Sequence, residues 1–369
     1  MTGLAIGDIH LGHPRNKTGN IIDNLNSFFK TNIKIVRGID IIFILGDTFD
    51  RLLASNSNEY RMGCVWLVHL IKLCKIHGIA LRILEGTPYH DRSQCRLLVD
   101  IVQSLSDDGY DVRYINTMEI EYFQKYDANV LYIPDEYKPT AIETADAVNA
   151  LMADKGIAAV DITAMHGAFK YQLPYHDIKT AHDEDFYSDI TKGLIIINHI
   201  HTHSIRGKIV APGSFDRLAH NEEHAKGCVY FSYIDKQTKP IVKFLENKNA
   251  MQFVTYRLSS MGVDEIIAYL DTHIVKLKYG SHIRIIVDTD MLVNRPNFEK
   301  RYQAYNLTIE TRKEEDVSEV SNFVTPVINE QVAITQNNIK DLLLAEIGGL
   351  SKYTDTVADA INTELAKVI

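Results

Sequence analysis

The sequence predicts an α/β fold whose strands run mostly parallel. Two observations carry this expectation. Short apolar, β-branched runs alternate with amphipathic helical stretches from the first residues onward. The runs also read apolar from end to end, as strands covered on both faces do. In order, residues 4–9 (LAIGDI) form an apolar run closing in a polar turn, and 21–29 place Ile21, Ile22, Leu25, Phe28 and Phe29 on one helical face. GIDIIFILG (38–46) is β-branched and aromatic and is bounded by Gly38 and Gly46. A helix is expected over 60–77, a strand over 79–84 (IALRIL) and a helix over 92–105. Further strands are expected at 129–133, 160–165, 194–197, 208–211 and 228–234, with a helix at 141–155.

Beyond this larger unit, MQFVTYRL, VDEIIAYLDTHI, HIRIIVDT, NFEKRYQA and NLTIETRK alternate strand and helix as a smaller α+β unit. Polar residues then suggest a linker. Ile339, Leu342, Leu343 and Ile347, followed after Gly348 and Gly349 by Val357, Ile361, Leu365 and Val368, suggest two short amphipathic helices. The expected organisation is a main domain over 1–248, a small α+β domain over 249–313, a linker over 314–334 and a helical tail over 335–369.

Of the 369 residues, 46% are hydrophobic and 24% charged, which excludes collagen-like, low-complexity and wholly disordered classes. No apolar run approaches the roughly 20 residues that span a bilayer. The opening MTGLAIGDIHLG lacks the basic start of a signal peptide. Cys64, Cys74, Cys95 and Cys228 form no CxxC pair and no zinc spacing, as expected of reduced core thiols in a cytoplasmic protein. The net charge of −9 argues against holding nucleic acid by a global basic field. That acidity gathers in residues 314–369, whereas 251–313 is weakly basic.

Chemistry concentrates at strand ends. Asp8 and His10 follow the first strand, Asp47 and Asp50 the second, and His90 and Asp91 the third; His166 follows VDITAM, and His199 and His201 follow LIII. In open α/β sheets ligands gather beyond the carboxyl ends of strands, so these groups can converge on one rim. Mixed aspartate and histidine donors suit divalent transition metals, and a bridging aspartate suits two of them.

The ordered motifs GDIH (7–10), GDTFD (46–50), GTPYHD (86–91), MHGAF (165–169) and NHIH (198–201) resemble those of the calcineurin-like metallophosphoesterase superfamily. Within it the sequence is most similar to SbcD-type DNA nuclease subunits of bacteria and bacteriophages. The form of GDTFD, the segment APGSFDRLAHNEEHAKG (211–227) and the small unit followed by a helical tail carry that similarity. The resemblance implies a four-layer β-sandwich flanked by helices, with the 249–313 unit capping DNA. It further implies one ion held by Asp8, His10 and His201, a second by His166 and His199, and Asp47 bridging both. His90 would face the scissile phosphate, with Asp91 orienting it. Such a site would hydrolyse phosphodiesters in DNA break processing and recombination, with two Mn²⁺ ions activating water and neutralising phosphate charge. A phosphomonoesterase, a cyclic-nucleotide phosphodiesterase and an inactive DNA-end tether are the alternatives.

Two departures from the family pattern matter. The third motif lacks its Asn, and Thr87, Pro88 and Tyr89 intervene between Gly86 and His90. A Thr87 oxygen, a backbone carbonyl or water is left to fill the vacant place on the second ion. Asn198 also stands where Gly is usual. His203 is an alternative to His201 through a two-residue shift, while His13, His176, His182, His220 and His224 read as loop or surface residues. Asp50 reads as a supporting carboxylate. By resemblance the chain forms a homodimer through the helices near 60–77 and 92–105. Its tail would dock on an SbcC-like ATPase.

Overall fold

The computed structural model describes residues 1–104, 110–135, 138–174, 178–233 and 239–311. The expected linker, the expected tail and His176 lie outside the described residues. Met1–Arg312 forms one compact unit.

The chain opens with β1 (Thr2–Ile6), α1 (Thr18–Thr31), the one-turn α2 (Ile33–Val36), β2 (Ile41–Leu45), α3 (Asn58–His77), β3 (Ala80–Leu84), α4 (Gln94–Ser104) and β4 (Val112–Ile115). It continues through β5 (Glu119–Phe123), β6 (Ala128–Ile133), α5 (Ala141–Asp154), β7 (Val160–His166), α6 (Glu184–Ile190) and β8 (Thr191–Asn198). The short β9 (Ser204–Arg206) and β10 (Ile209–Ala211) precede β11 (Gly227–Ser232) and β12 (Ile241–Glu246). Last come β13 (Phe253–Arg257), α7 (Val263–His273), β14 (His282–Val287), α8 (Arg295–Arg301) and β15 (Asn306–Thr311).

The strands form two six-stranded mixed sheets, ordered β12-β11-β1-β2-β3-β4 and β5-β6-β7-β8-β10-β9. In the first, β1 to β4 run parallel, β11 runs against them and the edge strand β12 runs antiparallel to β11; in the second, only the edge strands β5 and β9 run against the rest. Strand β2 shows why its sequence is apolar throughout. Ile41, Phe43 and Leu45 pack with Val130, Tyr132, Ile162 and Ile196 of the second sheet. The alternate residues Ile42 and Ile44 pack with Ile21 and Leu25 of α1 and Leu67 and Leu70 of α3. A second outer core joins Leu131, Ile133, Ile195 and Ile197 to Val148 and Met152 of α5 and Tyr187 of α6. Both faces of each sheet are therefore buried, as parallel strands require.

The expected α/β class is borne out, and its elements differ mainly in extent. Four strands, β4, β5, β9 and β12, and helices α2 and α6 were not expected. All four strands sit at sheet edges, where one side lacks a neighbour and continuous apolar runs are not needed. Ile241 of β12, for instance, is exposed. The sheet β13-β14-β15 is parallel and has its own core, including Ile266, Leu270, Ile283, Ile285 and Phe298. Arg284 of β14 donates to the Asn221 side-chain oxygen, and Nε2 of His282 lies 3.0 Å from the Arg15 carbonyl oxygen, so this sheet touches the loops of the first.

Candidate metal centre

The carboxyl ends of β1, β2, β3, β7 and β8 bring the expected residues to one rim. Tight backbone makes this possible. Asp8, His10, Asp47 and His199 all have positive φ (45°, 54°, 49° and 140°), four of nine such non-glycine residues among those described. Left-handed backbone is uncommon outside glycine and clusters where function holds it in place. The chain also passes very close behind the donors. A Cβ on Gly86 would stand 2.1 Å from the Asp47 amide nitrogen, and one on Gly46 2.3 Å from His166 Nδ1. Only glycine lets these two loops meet.

Three overlapping groups of donors result: Asp8, His10 and His201; His10, Asp47 and His90; and Asp47, His166 and His199. All six residues expected as ligands are among them. One oxygen of Asp47, Oδ2, lies 3.8 Å from His10 Nε2 and 3.4 Å from His166 Nε2. His166 Nε2 is in turn 3.3 Å from His199 Nδ1, and Asp8 Oδ2 is 4.0 Å from His201 Nε2.

The imidazoles are aimed from behind. His10 Nδ1 meets Asp50 Oδ1 at 3.1 Å, His201 Nδ1 meets Glu222 Oε1 at 2.9 Å, and His166 Nδ1 meets the Leu45 carbonyl at 2.5 Å. Each contact leaves Nε2 as the nitrogen turned to the other donors, the arrangement by which an outer partner fixes a metal-binding imidazole. Behind His201 lies a buried lysine. Lys226 Nζ donates to the His201 carbonyl and to Ser214 Oγ, and pairs with Glu222 Oε2 at 2.9 Å.

The charges agree with this geometry. Burial works against charge on His166, but Asp47, Asp135 and Asp8 outweigh it and hold the imidazole well above its ordinary range. Burial likewise opposes ionisation of Asp47, and His166 then His10 overcome it, leaving the carboxyl well below the usual value. Burial and the neighbouring His166 lower His199. Burial lowers and Glu222 raises His201, with a net upward result.

Asp8 supplies the sharpest observation. It is wholly buried, and neither of its carboxylate oxygens has a hydrogen-bond partner; the same holds for His10 Nε2. A buried carboxylate without hydrogen bonds costs several kcal/mol unless a cation balances it. Asp8, His10, Asp47, His166, His199 and His201 therefore fit divalent ions, both in donor chemistry and in unmet need.

Several residues depart from expectation. Asp91 does not orient His90: its two oxygens accept from the amides of Phe49 (2.9 Å) and Gly86 (2.8 Å), tying the loops after β2 and β3 together. Burial and the Asp47 charge push its carboxyl up to about 8. His90 is held instead by the Asp50 carbonyl, which its Nδ1 contacts, and its ring meets that of His10 edge-on. His182 is buried rather than at the surface, with Nδ1 3.2 Å from the Tyr187 hydroxyl. His220 and His224 are half-buried; His220 packs on Phe253 and His224 Nε2 meets the His201 carbonyl. His203 does not replace His201, because it stacks on Phe244 and its Nδ1 bonds the Ala211 carbonyl. His13 serves a turn, accepting from the amides of Arg15 and Asn16.

Sequence reasoning missed Glu222, Lys226 and Asp135. The last follows β6 just as Asp8 follows β1, so the same strand-end rule applied to NVLYIPD would have found it. Glu222 and Lys226 stand four apart within the 211–227 segment, a spacing that alone does not point to a metal.

No family model and no curated protein matches the chain. Among solved structures, the crystal structure of TT1561 of Thermus thermophilus aligns over 66% of this chain and 98% of its own, at 14% identity and a TM-score of 0.38. A second crystal structure aligns over the same shares at 11% identity and a TM-score of 0.39.

Proposed function

We propose that this chain is a metal-dependent phosphodiesterase that cleaves DNA, on the metallophosphoesterase plan and of the SbcD type. The observation that carries the reading is the buried Asp8 carboxylate with two unmet oxygens, lying where three groups of histidine and aspartate donors overlap. Asp8, His10 and His201 would hold one ion and His166 and His199 the other, with Asp47 between them. Two divalent ions bound there would lower the pKa of water and neutralise charge on a phosphate. Mixed imidazole and carboxylate donors favour Mn²⁺ over Mg²⁺.

The protein's own groups do the remaining work. Asp50, Glu222 and the Leu45 carbonyl hold His10, His201 and His166 so that the donor atoms are set before an ion arrives. His90, half-buried at the edge of the centre with Nδ1 engaged by a carbonyl, keeps Nε2 for the scissile phosphate and would give a proton to the leaving oxygen. The β13–β15 unit beside the rim supports a polymeric substrate, since a minimal phosphatase would end near residue 245.

Mn²⁺-dependent cleavage of linear duplex DNA, compared with hydrolysis of p-nitrophenyl phosphate, tests the reading. DNA cleavage should be lost in His90→Asn by at least about 10²-fold, the usual reach of general acid–base catalysis, while metal content stays at the wild-type level. Loss of the ions in that variant would make His90 a ligand, and activity confined to the monoester would favour a phosphatase. Wild type inert on both substrates would favour a DNA-end tether.

The reading extends to partners. Val65 and Ile76 of α3 are exposed, which supports a homodimer through this helix; a monomer in sedimentation at micromolar concentration would count against it. Docking of 335–369 on an SbcC-like ATPase predicts that removing 326–369 ends co-purification with that partner. Retained co-purification would sink the docking.

A further inference from the structure

The second donor group, Asp47, His166 and His199, has three residues, and the 86–91 loop brings no amide side chain to it. The loop after β6 reaches the same place. Asp135 Oδ2 lies 3.8 Å from His166 Nε2, 3.8 Å from His199 Nδ1 and 3.1 Å from Thr87 Oγ1. Thr87 Oγ1 in turn lies 3.2 Å from Asp47 Oδ2, 3.5 Å from His166 Nε2 and 3.4 Å from His199 Nδ1. Two donors about 2.1 Å from one ion and set at a tetrahedral angle stand about 3.4 Å apart, so these separations are those of donors sharing an ion.

We propose that the Asp135 carboxylate is the fourth protein ligand of the second ion, in the place the third sequence motif leaves open. This inference rests on the dinuclear reading above and deepens it.

Chemistry separates Asp135 from its neighbour Thr87. A carboxylate is anionic and accepts only, whereas a neutral hydroxyl is a weak donor to a divalent ion. Thr87 has another duty: its amide donates to Asp47 Oδ1 at 2.7 Å, and its hydroxyl is within reach of both carboxylates. Thr87 is thus a positioning residue that holds Asp47 and Asp135 at their spacing. The Asp135 side chain is 10% exposed, enough shielding for its charge to act on an ion and enough access for one to enter. Its backbone is anchored separately, through an amide that donates to the Glu85 carbonyl at 3.4 Å. Removing the carboxylate should therefore spare the loop.

The test is Mn²⁺ binding to the full 369-residue chain, stripped by chelation and titrated with MnCl₂ alone, read by calorimetry and by electron paramagnetic resonance. Wild type should take up two ions and give a spin-coupled signal. Asp135→Ala should keep one ion, bind the other at least about 100-fold more weakly and show the six-line signal of isolated Mn²⁺. Asp135→Asn, which keeps an oxygen but loses the charge, should weaken the second ion at least about tenfold. It also carries the test if the alanine variant misfolds. Thr87→Val, which removes the hydroxyl but keeps the amide bond to Asp47, should weaken the second ion less than Asp135→Asn does. The proposal is overturned if either folded Asp135 variant binds two ions with wild-type affinity, or if Thr87→Val loses the second ion while Asp135→Asn keeps it. Wild type binding no Mn²⁺ would overturn the dinuclear reading itself. Two ions in wild type and unchanged affinity in the Asp135 variants would leave that reading standing and remove only this ligand.

Discussion

Asp8 and Glu222 show how single side chains set the energetics of the centre. With no hydrogen bond to either oxygen, Asp8 burdens the ion-free protein. Asp8→Asn replaces a buried charge by a neutral amide, so it should raise the ion-free melting temperature while abolishing the rise on adding Mn²⁺. A lower ion-free melting temperature in the variant would show that Asp8 is satisfied in some other way. Glu222 is the opposite case. Although burial opposes its charge, His201 and then Lys226 hold the carboxyl down to about 2, against an ordinary 4.5. A depressed folded-state value stabilises the protein above the unfolded value, and that contribution is lost as pH falls from 4.5 through about 2. Its size is about 3 kcal/mol, and the side chain is only 15% exposed, so solvent screening is modest. Denaturation midpoints measured against pH should fall over that window in wild type and flatten in Glu222→Gln. Equal slopes would remove Glu222 from the account.

At the level of elements, the turns after strands carry the candidate metal donors. Those after β1 and β2 are pinned to one another by the amides of Ile9 and His10, both of which donate to the Asp47 carbonyl at 2.9 Å. The loop after β3 can lie against this pair only because Gly86 has no side chain. Gly86→Ala would force backbone rather than a flexible side chain to move, so it should cost about 1–3 kcal/mol, as overpacking does, and weaken Mn²⁺ binding through a displaced Asp47. Calorimetric titration checks both, and wild-type affinity would mean the loop yields without disturbing the donors. Elements buried on both faces were legible in the sequence because each residue of β2 must be apolar. Edge strands were not. The burial of β12 alternates weakly between exposed and half-buried, and β9 has three residues, too few for any period to register.

At the scale of the whole molecule, a buried ion pair ties one sheet to the other. Arg82 of β3 is 2% exposed and grips Glu121 of β5 through two bonds, Nε to Oε2 at 2.8 Å and Nη2 to Oε1 at 2.6 Å. The Tyr132 hydroxyl donates to the same carboxylate at 2.8 Å. Asp111 Oδ1, 2.8 Å from Arg82 Nη2, remains as a partner when Glu121 is removed, so Glu121→Ala should cost about 1.5–3 kcal/mol, the worth of a hydrogen bond to a charged group, whereas Arg82→Met with Glu121→Leu should cost less. Chemical denaturation of the two single variants and the pair forms the cycle. Additive losses would show that the bridge does not couple the sheets.

The sequence by itself determined the α/β class, the strands of the sheet interiors and the set of strand-end aspartates and histidines. Those features depend on local composition: a strand buried on both faces writes its burial into every residue. Only the tertiary structure decided what each polar side chain faces. Asp91 neighbours His90 in the chain yet spends its oxygens on the amides of Phe49 and Gly86, while Asp50, forty residues from His10 and from His90, reaches both rings. Asp135 likewise meets His166 and His199 only because β6, β7 and β8 lie side by side. Hydrogen bonds span about 3 Å and take their partners from whichever loops the sheets bring together, and no spacing along the chain records that choice.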